Sequence, residues 1–432
     1  MIYDNSISTI PVSFNGFDLN TSPSKVLGVD ITNNAKVILN KYQLVHSDGE
    51  VVTNSNYGER SILVEGRIKG TSAANLDASL DTFKSYLIGI NKNLDLFISG
   101  ATRRFVASAS EVSFTQKSAC VVTWNIVFAC NAFGKDTTAT TLTMGTYTAT
   151  NTGYTNIIAG SYKTNPVIDY TVNFVDNFWD AKYIDISNNA INERIRITRV
   201  NNIFDRIIID GESKRVQLYP TTKTVIDLCE VLTGWTSTHT LTASTTNQKQ
   251  GISCFSVNMA AAAAISSVSR LNYASMDLSS SMGFIIFPIF LPTPTAGTIA
   301  SVRVYAGSAA TLATDYNYYD KTTQFDGSAL SINAWNYIKL DLSAAATGTN
   351  GTPVMTAIKS FQISVVGTSA AMQLSGWRLD YITVQKAGVI PQYIDFEGTF
   401  PSIGIGSSIL TITDEYTTRN ITFTGSYYKR YL

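Results

Sequence analysis

The sequence predicts a mainly β protein, in which an α+β first domain with one packed helix is followed by a β-sandwich split by an inserted β jelly roll. Three observations predict it. Apolar residues alternate with polar ones along short runs through most of the chain, the signature of half-buried strands. One segment carries a convincing helical period. Finally, the hairpin around Ile207-Ile-Ile-Asp210 is separated from its host-like continuation at Tyr393 by a long stretch of different character, rich in Ser, Thr and Ala and poor in charge.

Residues 1–134 are expected to form the first domain. Val26 to Thr32, Val37-Ile-Leu39 and Ser61-Ile-Leu-Val-Glu-Gly-Arg-Ile-Lys-Gly70 read as strands. Thr71 or Ser72 caps the helix, and Leu76, Leu80, Phe83 and Leu87 form one apolar stripe that Gly89 ends. The strand Leu94 to Ile98, a turn at Ser99-Gly100, and Arg103-Arg-Phe-Val-Ala107 follow. Val122, Trp124, Ile126 and Phe128 share one face of a closing strand. Residues 135–165, Thr-rich and punctuated by Gly, read as an extended linker or an arm that packs on a neighbour.

Residues 166–227 begin the sandwich, with strands at Val167 to Phe174, Tyr183 to Ser187 and Glu193 to Val200, then the hairpin that turns at Asp210-Gly211. Residues 228–386 form the insert. Its strands fall at Phe284 to Phe287, Ser301 to Tyr305, Trp335 to Leu342, Phe361 to Val365 and Trp377 to Val384. Met259 to Ala264 reads equally as a loop or a helical turn. Residues 387–432 return to the sandwich and supply its last strands. An exposed hairpin end is where a fold tolerates such an insertion.

Composition bounds the function. The 432 residues suffice for about three domains, apolar residues make up 44%, charged residues only 15%, and net charge is zero. Nucleic-acid binding needs a dense basic face, which this composition does not supply. Met1-Ile-Tyr-Asp-Asn5 lacks the basic and apolar pattern of a signal peptide, so synthesis in a cytoplasm is expected. The longest apolar runs are strand-sized, which argues against membrane insertion. Cys120, Cys130, Cys229 and Cys254 have no metal-ligand spacing and read as free thiols. His46 and His239 fall in different domains, which disfavours a histidine relay.

The order Ile62-Leu-Val-Glu-Gly-Arg-Ile68, the Leu76/Leu80 helix, Arg103-Arg-Phe-Val-Ala107 and a closing strand ending near Phe133-Gly134 resembles the distal tail proteins of long-tailed bacteriophages. The second half of the likeness is the Ile207 to Leu218 hairpin, completed by Phe396-Glu-Gly-Thr-Phe-Pro401 and the Ile409 to Thr413 strand. It is similar to the family's galectin-like domain, with Ile405-Gly406-Ser407 where the family has Pro-Gly-Asn. The resemblance implies a virion protein at the distal end of the tail, made in the host cytoplasm. Its partners would be its own copies in a six-fold ring, the tail tube protein and the tip or baseplate hub.

The insert resembles a jelly-roll carbohydrate-binding module at Asp277-Leu-Ser279, Ala334-Trp-Asn336 and Arg378-Leu-Asp380. Such modules lay sugar rings on aromatic side chains and bond hydroxyls to planar polar groups. Tyr316, Asn317, Tyr318 and Tyr319, read as a loop, with Gln324, Asp326 and Trp377, are therefore the candidate residues for a host-surface glycan. Core positions are the alternative for Trp377 and for one of the two adjacent tyrosines, and Trp335 is expected in the core. No cofactor is expected, a structural calcium ion held by Glu230 and Asp380 aside; the alternative is that Asp380 is an ordinary solvated acid. Asp315/Asp320 and Asp395/Glu397 sit in no recognisable catalytic frame, so a structural, non-enzymatic protein is expected. A non-catalytic adhesin and a tail-associated glycan hydrolase are the competing readings.

Overall fold

The computed structural model describes residues 10–31, 35–43, 50–98, 100–177 and 179–431; His46 and Ser99 lie outside them. The fold is mainly β, with a single α-helix, Ala73–Tyr86, among the described residues.

In the first domain the sheet runs Phe17–Asp18, Val12–Phe14, Lys92–Ile98, Ala101–Ser118, Val121–Cys130, Arg60–Lys69, Ser24–Asp30. The helix packs on it through Leu76, Phe83 and Leu87, all buried, as the apolar stripe requires. Ser72 is the N-cap, its hydroxyl accepting from the Asn75 amide at 3.2 Å. Trp124 lies 5.0 Å from Phe83, ring to ring. Gly66 makes room for it: a Cβ there would come within 2.1 Å of the indole. A separate hairpin, Val37–Gln43 with Glu50–Tyr57, was only half legible, as the Val37 strand.

Two sheets build the sandwich. One is ordered Thr140–Thr141, Arg419–Tyr427, Val167–Val175, Arg206–Asp210, Arg215–Tyr219, Gln392–Tyr393. The other is ordered Thr152–Ile158, Gly406–Asp414, Lys182–Asn188, Glu193–Arg199, Glu397–Gly398. Ile168, Tyr170, Ile195, Ile207, Leu410 and Phe423 meet between them. The two long strands after the insert sit inside these sheets, so the sandwich is incomplete without them.

The structure corrects two expectations. Residues 135–165 are extended, but their strands pair with this chain's own sandwich: Thr152–Ile158 runs along Gly406–Asp414, and Thr146–Tyr147 along Arg419–Tyr427. Gly134–Asp136 bridges the domains, pairing with Arg103 and Arg104 on one side and Arg430 and Tyr431 on the other. Second, Thr222–Asp227 belongs to the insert, where it pairs with the insert's last strand, Ile382–Lys386.

The insert is a two-sheet jelly roll. Its first sheet is ordered Thr222–Asp227, Ile382–Lys386, Phe284–Leu291, Ser375–Leu379, Cys254–Asn258, Thr240–Ser244, with Ala334–Asp341 also on Phe284–Leu291. The second is ordered Trp235–Ser237, Ile265–Arg270, Ser360–Gly367, Ile299–Gly307, Tyr316–Lys321, Gly348–Asn350. Met259 to Ala264 is a loop rather than a helical turn. All four cysteines are free.

The insert is clamped to its host by an aromatic seam. Phe204 of the host stacks on Phe284 at 4.5 Å, and Phe174 packs against Tyr337 at 4.8 Å and Phe325 at 5.4 Å. The Tyr337 hydroxyl donates to the Asp176 carbonyl at 3.0 Å, and the Lys339 ammonium lies 4.4 Å from the Phe284 ring. Phe204 holds its place at φ +72°, a conformation costly for a bulky residue and kept by its surroundings.

Phe174 is 6% exposed. Phe174→Ala is expected to lower unfolding free energy by about 3 kcal/mol and to split the calorimetric melt into separate host and insert transitions. Ile157→Ala, at an exposed position, should shift the melt little.

Candidate functional site

The tyrosine-rich segment is a strand, Tyr316–Lys321, rather than a loop, and strand parity decides which of its residues face solvent. Tyr319 points inward beside Val302 and Val304; it is 5% exposed, and burial raises its phenol pKa. Asn317 shares that parity, its amide donating to Met355 Sδ at 3.3 Å and its carbonyl accepting from Thr349 Oγ1 at 2.7 Å. Tyr316, Tyr318 and Asp320 alternate onto the outer face.

Neighbouring strands complete that face with residues the sequence reading did not select. Register places Tyr305 opposite Tyr318 and Arg303 opposite Asp320. Ring centroids of Tyr305 lie 5.5 Å from Tyr316 and 5.7 Å from Tyr318. Arg303 grips Asp320 through two parallel hydrogen bonds of 2.6 and 2.7 Å, and its guanidinium lies 4.4 Å from the Tyr318 ring. That pairing holds the guanidinium firmly charged. One strand further on, Gln362 accepts from Ser269 Oγ at 2.8 Å and donates to Ser364 Oγ at 2.9 Å. The signal for these residues was present: with Val302, Val304, Phe361 and Ile363 facing the core, Arg303, Tyr305 and Gln362 must face out.

Three tyrosine rings, a neutralised ion pair and a bonded amide thus form one preorganised outer surface. Aromatic faces suit apolar C–H groups, and the fixed polar groups suit hydroxyls. Asp320 is committed to Arg303, while Asp315 Oδ1 accepts from the Thr352 amide at 3.0 Å in a turn. That pair is occupied structurally.

Other candidates lie elsewhere. Trp377 is fully buried in the jelly-roll core and donates from Nε1 to Ser266 Oγ at 2.9 Å, so it cannot meet a glycan. Gln324 and Asp326 stand on a turn at the seam, apart from the tyrosine face; Asp326 Oδ1 accepts from the Ser328 amide and hydroxyl. Trp335, expected in the core, is half-buried on the outer side of the first insert sheet, because Ile338 and Leu340 take the inward parity.

Glu230 and Asp380 hold one loop between them. Asp380 Oδ2 accepts from the Lys249 and Gln250 amides at 2.7 and 3.0 Å, and Glu230 Oε1 from the Ile252 amide at 2.9 Å. Asp380 is fully buried, which overturns the solvated-acid alternative. Burial pushes its pKa up to about 6, with Glu230 adding to the rise. Asp380 Oδ1 and Gln250 Oε1 are buried without a hydrogen-bond partner among the described residues. No group of three or more His, Cys, Asp or Glu gathers among those residues, so a cation here would draw on amide oxygen as well. No described helix is long and apolar enough to cross a membrane.

No family model and no curated relative matches the chain. Among solved structures it is similar to the Dit protein of phage SPP1, described as a paradigm of hub adsorption apparatus in phages infecting Gram-positive hosts. The identity is 14% over 49% of this chain and 83% of that one, with a TM-score of 0.37. It is similar to the phage p2 baseplate in its activated conformation, at 10% identity over 93% and 97% of the chains with a TM-score of 0.25. The carbohydrate-binding module TmCBM27, studied for its specific mannan recognition, is 12% identical over 38% of this chain and 98% of its own, with a TM-score of 0.22.

Proposed function

We propose that this chain is a non-enzymatic structural protein of a phage tail, whose insert binds host-surface glycan during adsorption. The single observation behind the glycan reading is the outer face on which Tyr305, Tyr316 and Tyr318 stand beside Arg303, Asp320 and Gln362. The tail reading draws on the order of elements in the first domain and the split sandwich. Six copies form a closed ring between tail tube and tip or baseplate hub at the distal end of the tail. A closed ring needs two complementary surfaces per subunit. Among the described residues the first domain's sheet ends on the strand Ser24–Asp30, and apolar side chains are exposed at Ile88 and Ile90 after the helix. Displayed six-fold, sites of about millimolar affinity gain avidity by roughly 10²–10⁴ when several engage together.

Two measurements test this. Light scattering and negative-stain images of the purified protein should give a six-fold ring with outward lobes. A monomer that stays monomeric when mixed with tail tubes would instead favour the adhesin. On a glycan array, the ring should bind a neutral polysaccharide, and Tyr305→Ala with Tyr318→Ala should each weaken binding about tenfold or more, some 1.4 kcal/mol. Unchanged binding by both variants would remove the tyrosine face from the proposal, and release of reducing sugar would favour the hydrolase.

The insert also holds a structural calcium ion in this proposal, through Asp380, Glu230 and the Gln250 amide oxygen. The support is a pair of buried, unpartnered oxygens, one on the Asp380 carboxylate and one on the Gln250 amide, with the Glu230 carboxylate bonded to the same loop, since calcium takes oxygen ligands only. Without a cation, the Asp380 carboxyl binds its proton more tightly folded than unfolded. Stability therefore falls as pH rises from about 4 to about 6 and stays reduced above that. Calcium at pH 7.5 should raise the melting temperature by about 5 °C. Asp380→Asn should abolish that response and melt no lower than the calcium-free parent. An equal calcium response in both would place the ion elsewhere.

A further inference from the structure

The seam between insert and host holds a cavity, on the opposite sheet from the tyrosine face. Its volume is about 220 Å³. Trp335, Phe325 and Tyr337 from the insert and Phe174 from the host form its walls. Asp326 and Thr418, both exposed, stand at its mouth, so it opens to solvent. A site of this size lies below the roughly 300–1,000 Å³ that larger ligands occupy, and its aromatic walls with a few polar groups follow the usual composition of small-molecule sites.

The polar groups are already oriented. Gln324 spends its Nε2 on the Ala329 carbonyl at 3.1 Å and Ser331 Oγ at 3.2 Å, which leaves Oε1 as its acceptor. Asp326 uses Oδ1 for its turn and keeps Oδ2. Trp335 Nε1 reaches Asn247 Oδ1 only at 3.5 Å, a weak bond that a closer acceptor would replace. Tyr337 is fixed by its bond to Asp176, and Phe325 by Phe174.

The geometry points to a binding site for a single neutral pyranose ring, with its C–H face on Trp335 and its hydroxyls donating to Asp326 Oδ2 and Gln324 Oε1. One wall, Phe174, comes from the host sandwich, so the site exists because the insert is mounted there. It uses none of the residues of the tyrosine face and stands or falls independently of it.

The test is fluorine NMR of the full chain labelled with 5-fluorotryptophan, the Trp335 signal being assigned through Trp335→Phe. Methyl glycosides of glucose, galactose, mannose and N-acetylglucosamine are titrated to millimolar concentration. At least one should shift the Trp335 signal saturably while the other tryptophans stay in place. Asp326→Asn should weaken that titration about fivefold or more, and Tyr318→Ala should leave it unchanged. No saturable shift with any of the four overturns the site. So does a shift that survives Asp326→Asn unaltered and disappears in Tyr318→Ala, since the sugar would then sit on the tyrosine face.

Discussion

The rest of the structure depends on one constraint: the chain must leave the sandwich and return through the same gap. Two successive antiparallel pairings meet it. Leu218 pairs with Gln392 in the host, and four residues further along Thr222 pairs with Lys386 in the insert. Between them lies a buried anchor. Asp205, wholly inaccessible, accepts from the Thr221 amide at 2.6 Å and from Arg199 at 2.6 Å, while Thr221 Oγ1 donates to the Ile203 carbonyl. An unpaired charge at that depth would be costly, so Arg199 and the Thr221 amide fix the exit direction of the chain. Because entry and exit coincide, the sandwich closes on Gly406–Asp414 and Arg419–Tyr427 as though nothing intervened.

The aromatic seam turns this topological graft into a mechanical one. Phe174, Phe204, Phe284 and Tyr337 make the insert's orientation a property of packing rather than of a flexible linker. An insert held this way presents its outer face in a fixed direction relative to the host domain. In the proposed ring, engagement of several copies would be limited by geometry set in advance, which lowers the entropic cost of multivalent binding.

Much of the fold was legible because short-range periodicity encodes it. The Leu76 to Leu87 stripe, the Val122 to Phe128 parity and the cut hairpin at Ile207 each appear as found. Residues 135–165 were read as a linker because Thr152–Ile158 takes as its partner a strand some 250 residues away, and no local signal reports that. The candidate site was half legible. Adjacent tyrosines guarantee that one points inward, yet nothing local says that Tyr305 and Arg303 lie alongside. Gln324 and Asp326 follow the tyrosines closely in sequence, but the chain crosses to the seam between them. Trp335 left the core expected for it, and Trp377 took the core position that was one of its two readings, because parity within a strand is set by the sheet behind it, not by residue type.

The most direct measurement concerns a chain in which residues 219–391 are replaced by an Asn-Gly turn joining Leu218 to Gln392, the pair that already face each other. If the insert is a complete glycan-binding domain carried by an independent host, the shortened protein will melt cooperatively, assemble to the same ring as the parent, and bind no glycan. A shortened chain that unfolds, or one that keeps the parent's glycan affinity, would contradict the account.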